Sequence, residues 1–121
     1  MIKLVFCVSK REDISSDEFF RYWLEDHGPL VKSVADDIGA CRYVQSHTVL
    51  PELNEQLIAG RKLQQPYDGI TEVWWNAMED LEKGFASPEG IAASKRLQED
   101  EATFIDLPKS RVFMTEEHEI F

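Results

Sequence analysis

With 121 residues, 23 acidic against 13 basic side chains and a formal charge of −10, the chain would repel a phosphate backbone, and no basic run with interleaved aromatics offsets that charge. Nucleic acid is not an expected partner, and the acidity, spread over helices and the C-terminus, reads as a solvated face. The length suits a single domain, residues 1–121, with a core large enough to need neither metal nor disulfide staples.

Met1 to Val8 is apolar but far too short to span a bilayer, and no small-residue cleavage site follows it. It reads as a strand, Ile2 to Ser9, of a cytoplasmic protein with no membrane association. Leu4-Val5-Phe6-Cys7-Val8 is an unbroken apolar run, as expected of a strand covered on both faces. Helices supply one cover, and a partner subunit is expected to supply the other. After the polar turn Lys10 to Asp13, Ser15 and Glu18 have capping-box spacing. The helix they start runs to Ile38, where Gly39 suits a left-handed position. Within it Phe19, Trp23, His27, Leu30, Val31, Val34 and Ile38 fall mostly at steps of three and four, so a histidine lies on the apolar stripe. Gly28-Pro29 interrupts the helix just after it, because Pro29 has no N–H for the carbonyl of Glu25 and its ring crowds that carbonyl. A kink or break is expected. Either it turns His27 toward a cavity, or His27 is a core residue bonded to a freed carbonyl.

The second strand, Cys41 to Val49, places Cys41, Tyr43, Gln45 and His47 on one face. Glu52 to Leu63 has helical content within a long connection of the kind that forms lids or binding elements. Asp68-Gly69 turns into a third strand, Ile70 to Asn76, with Ile70, Glu72 and Trp74 on one face and Thr71, Val73 and Trp75 on the other. A carboxylate such as Glu72 in a strand buried on both sides needs a partner or a wet cavity. Ala77 to Phe85 is a short helix. Ser87 caps another, with Pro88 at its first position, that continues toward Asp100. Arg111 to Glu116 is the last strand. The resulting βαββαβ order, with two right-handed crossovers, gives an α+β, ferredoxin-like fold whose four-stranded antiparallel sheet carries its helices on one face. In that strand order Cys7 and Cys41 are separated by a strand, beyond disulfide reach, and read as free buried thiols.

Tyr22-Trp23-x-x-x-His27-Gly28-Pro29-Leu30-Val31 resembles the signature segment of the EthD family, whose members are dimeric α+β barrels of ferredoxin-like fold. A second similar stretch runs from Asn54-Glu55 through Gly60-Arg61 to Pro66-Tyr67-Asp68-Gly69-Ile70-Thr71-Glu72-Val73-Trp74. The resemblance implies a homodimer in which two sheets pack face to face. It also implies a range of activities: ether degradation, decarboxylation or dehydration of aromatic polyketides, and, among relatives by fold, cofactor-independent monooxygenases, lactone isomerases and cyclases.

The residues that could carry such chemistry form a mostly aromatic set with a few polar groups, the composition of a small-molecule pocket. His27 is the candidate general acid/base, since an imidazole exchanges protons near neutrality. Glu72 or Asp68 could orient it or act as the second such group, although Asp68 also fits a plain turn residue and Glu72 a pairing with Arg42 or Arg111. Tyr22, Trp23, Tyr43, His47 and Trp74 are the candidate substrate-binding residues, and which sheet face lines the cavity stays open. His27, His47 and His118 stand on separate elements without metal-ligand spacing, nothing activates a cysteine, and no phosphate or dinucleotide motif is present. The expected function is cofactor-free acid/base chemistry, of lyase, isomerase or decarboxylase type, on a hydrophobic, aromatic or carbonyl-bearing molecule. The alternative is a non-catalytic accessory protein that holds such a ligand.

Overall fold

The computed structural model describes all 121 residues. Strands β1 (Ile2–Val8), β2 (Arg42–His47), β3 (Gly69–Trp75) and β4 (Arg111–Glu116) form one sheet in the order β2-β3-β1-β4. Every neighbouring pair is antiparallel, with Leu4 opposite Val73 and Met114, and Tyr43 opposite Val73. Helices α1 (Ser16–Tyr22), α2 (Gly28–Ile38), α4 (Met78–Ala86) and α5 (Pro88–Glu101) complete the ferredoxin-like arrangement, with α3 (Pro51–Arg61) in the long β2–β3 connection.

Local chemistry sets the helix ends. Ser15 accepts the N–H of Glu18 at 3.1 Å, and Ser87 accepts that of Gly90 at 3.0 Å ahead of Pro88, so each cap satisfies a donor the helix cannot. Gly39 ends α2 at φ +73°, which a side chain would oppose. α3 buries none of its residues, and its Leu53 and Leu57 are exposed. No helix is long and apolar enough to cross a membrane.

Alternation along the strands divides the sheet into two unlike faces. The helix-side face carries Leu4, Phe6, Tyr43, Thr71, Val73 and Trp75, and the core gathers there. Val8, Phe19, Trp23, Phe104 and Ile105 form one buried cluster, Val73, Trp75 and Leu81 a second, and Val34, Ile38 and Ala93 a third. Trp75 settles which face is inner: it is 2% exposed and its indole N–H donates to the carbonyl of Ile38 at 2.8 Å. The other face carries Lys3, Arg42, Ile70, Glu72, Trp74 and Phe113, and no helix covers it; Ile70 and Phe113 are exposed. Both cysteines are free, but the expectation that both are buried fails. β2 begins at Arg42, which leaves Cys41 exposed in the preceding loop, while Cys7 is half-buried.

Candidate functional site

The helix that carries His27 does not break. Residues Trp23–His27 form a π-helical turn in which the N–H of Gly28 reaches back to the carbonyl of Trp23. The wider turn answers the steric demand of Pro29, whose ring would crowd the Glu25 carbonyl in a tight α-turn. The Trp23 carbonyl accepts a second bond, from Gln45 Nε2 at 2.7 Å, which ties the turn to β2.

This turn points Trp23 and His27 inward, where they are 1% and 4% exposed. Trp23 fits only because residue 69 is glycine, since a Cβ there would lie 2.6 Å from the indole and 2.5 Å from the Ser46 carbonyl oxygen. On its other side His47 stacks at 4.5 Å between ring centres, itself backed by Phe20 at 5.0 Å. A cavity of about 540 Å³ lies between the helix-side sheet face and α2 and α5, and 13 of its 20 lining residues are hydrophobic. Such a lining favours an apolar ligand held by a few polar groups. Trp23, His27 and Tyr43 are on its wall, with Thr71 and, from the last turn of α5, Glu101.

His27 is held from behind. Its Nδ1 lies 2.6 Å from Asp100 Oδ2, while Asp100 Oδ1 accepts the Tyr22 hydroxyl at 2.5 Å. The bond goes to a carboxylate, not to a freed backbone carbonyl. With Nδ1–H donated to Asp100, Nε2 is left without a protein partner on the cavity side. Burial pushes the His27 pKa below its ordinary value, and the Asp100 carboxylate opposes that shift without cancelling it. The imidazole is therefore neutral near neutral pH, with a lone pair on Nε2. Tyr22 has its hydroxyl pKa raised by the bond to Asp100 and by burial. The Glu101 carboxyl makes no hydrogen bond or ion pair, and burial, with the adjacent Asp100, pushes it up to about 7.

The structure does not bring all the candidates from sequence together. Glu72 and Trp74 point to the opposite sheet face from His27. There Glu72 pairs with Lys3 at 2.8 Å, and neither Arg42 nor Arg111 takes that place. Trp74 donates to Glu117 at 2.7 Å under the guanidinium of Arg42. Asp68 accepts the backbone N–H of Lys10 at 2.7 Å, tying two loops together. His47 stands behind Trp23, and Tyr22 reaches the site only through Asp100. Asp100 and Glu101, which the sequence reading passed over, are the acidic groups found at His27 and on the cavity wall.

Among curated proteins no sequence matches this chain. Solved structures do. An ethyl tert-butyl ether D (EthD) family protein from Bacillus halodurans has 19% identity, covers 98% of this chain and 99% of its own, and superposes with a TM-score of 0.65. A dimeric protein of unknown function and ferredoxin-like fold from Bacteroides fragilis has 12% identity, coverage of 96% and 95%, and a TM-score of 0.58. A hydroxynitrile lyase from Passiflora edulis has 12% identity, coverage of 99% and 95%, and a TM-score of 0.61. At these identities the likeness speaks for the fold alone. The EthD domain model matches the sequence itself over residues 11–108, a span that contains both the π-helical turn and Asp100, and the chain belongs to the EthD family.

Proposed function

We propose that this protein is a cofactor-independent enzyme in which His27 moves a proton on an apolar, carbonyl- or hydroxyl-bearing small molecule bound in the cavity. One observation carries the reading: a buried imidazole on the wall of an apolar cavity, its Nδ1 held by Asp100 and its Nε2 without a protein partner. Asp100 orients the ring, selects the tautomer and stabilises the imidazolium that forms when Nε2 takes a proton. Tyr22 holds Asp100 in place. A solved hydroxynitrile lyase has this fold, which supports a small-molecule enzyme on such a scaffold. Trp23 and Tyr43 are the substrate-contacting candidates that the cavity retains, whereas Glu72, Asp68, His47 and Trp74 have no place in this mechanism.

The test needs no prior substrate. Aromatic ketones incubated with the protein in D₂O are expected to gain deuterium at the carbon next to the carbonyl, read by proton NMR. His27→Ala is expected to lower that exchange by roughly 10²–10⁴-fold, with circular dichroism unchanged. Ligand binding without exchange in the unaltered protein would sink the enzymatic reading and leave the accessory-protein one.

We also propose that the working unit is a homodimer closed by the helix-free sheet face. That face leaves Ile70 and Phe113 in water beside a Lys3–Glu72 pair, and the Bacteroides fragilis neighbour is dimeric. Light scattering is expected to give twice the 14.0 kDa chain mass. A single-chain mass at micromolar concentration would rule the dimer out.

A further inference from the structure

Three ionisable side chains face the cavity: His27, Tyr43 and Glu101. Glu101 is the one carboxylate among them, and it has no hydrogen-bond or ion-pair partner although its neighbour Asp100 has two bonds. A carboxyl group facing an apolar cavity without a partner is expensive to ionise and is available to a ligand. The helical period of α5 explains its placement, since Glu101 follows Ala93 and Leu97 at steps of four along the inner stripe.

From this geometry we infer that Glu101 is the second proton-transfer group of the site, and that the cavity takes uncharged apolar carbonyl compounds and turns away carboxylates. This rests on the proton-transfer reading of His27 given above. In the forward step Nε2 of His27 removes a proton from the carbon beside the carbonyl. The C–H electron pair becomes the C=C bond of an enol, and the carbonyl oxygen takes the proton of the Glu101 carboxyl. His27 ends as imidazolium and Glu101 as carboxylate, and the reverse step restores both. Glu101 is suited to this because burial holds its carboxyl near neutrality, at about 7, where the acid form is still populated. Once ionised, it leaves the cavity with a second negative group next to Asp100, which a bound carboxylate would have to face. The groups around it are Asp100 on its own helix, His27 on the π-helical turn, Tyr22 on α1 through Asp100, and Tyr43 on β2. Arg111 of β4 stands opposite Cys7 on the helix-free face, where burial pushes the Cys7 thiol up and the guanidinium only partly opposes that shift.

Calorimetric titration with two probes of one shape, 2-acetylnaphthalene and 2-naphthoate, separates the possibilities. The ketone is expected to bind with similar affinity at pH 5.5 and 8.5, and 2-naphthoate at least tenfold more weakly at pH 8.5 than at pH 5.5. In Glu101→Gln the naphthoate loss is expected to shrink to within twofold while ketone binding stays, and deuterium exchange into the bound ketone is expected to fall at least tenfold. Equal naphthoate affinity at the two pH values in the unaltered protein would overturn the assignment of Glu101. So would an undiminished pH loss in Glu101→Gln, because protonation of His27 would then account for the trend. Failure of both probes to bind would overturn the cavity reading itself, and this inference with it.

Discussion

Trp23→Ala is expected to lower stability by about 3–5 kcal/mol, the largest loss from any single truncation near the site. The indole is 1% exposed. It rests against Phe19 at 5.5 Å between ring centres and His47 at 4.5 Å, and it fills the space left open by Gly69. Removing it deletes the buried apolar area and opens a void joined to the cavity, which the surrounding strands cannot close because β2 and β3 are locked by their ladder. A domain of ordinary stability, about 5–15 kcal/mol, would lose roughly a fifth or more of it, and a fall in melting temperature of roughly 10–20 °C follows. Urea unfolding measures the loss directly. Trp23→Phe keeps a ring on His47 and should cost clearly less than the alanine change. A loss under about 1 kcal/mol in Trp23→Ala would show that the stack is not what holds the π-helical turn against the sheet.

Trp23 and His27 were both legible in the sequence, because a helical stripe announces itself by spacing and Pro29 marks where the stripe is disturbed. The form of the disturbance was not. Whether proline produces a kink, a break or a widened turn depends on what receives the displaced carbonyls, and here the receivers of the Trp23 carbonyl are Gly28, next door, and Gln45, on a strand the helix meets only after folding. Strand parity was also legible, since Tyr43, Gln45 and His47 do share a face. Which face of β3 turned inward was not, because each offered a tryptophan. The choice came from Trp75 finding the carbonyl of Ile38, while Glu72 found Lys3 instead of a cavity.

Asp100 and Glu101 were missed for a different reason. Gln98-Glu99-Asp100-Glu101 reads as the solvated acidic end of a helix, and most such runs are. The usable signal was the helical period, which carries Ala93 and Leu97 on to Glu101 and sets Asp100 beside that stripe. No local signal could have paired Asp100 with His27 across 73 residues. That bond exists because α5 packs along α2 and brings the last turn of one helix to the first residues of the other.

The second large effect has the opposite sign: Glu101→Gln is expected to stabilise the protein at pH 8. The folded carboxyl sits at about 7 against an ordinary 4.5, so between those values the folded state keeps a proton that the unfolded chain has released. Stability then falls as pH rises through that window and levels off above about 7, where both states are ionised. Glutamine has no proton to lose, so the stability difference between variant and parent should be small at pH 5, grow through pH 6 and 7, and flatten by pH 8. The full displacement corresponds to roughly 3 kcal/mol, and water entering the cavity reduces this to about 1–3 kcal/mol. His27 works in the other direction. Its depressed pKa makes stability fall as pH drops below its ordinary value, but it is present in both proteins and largely cancels in the difference. Urea unfolding at half-unit steps from pH 5 to 8.5 gives the curve. A difference that stays flat would mean that Glu101 is fully solvated, and the cavity would then lack the low-dielectric wall on which proton transfer by His27 depends. A rising difference would show a side chain that weakens its own fold at neutral pH with no internal bond in return, which is what a group placed for chemistry does and a group placed for packing does not.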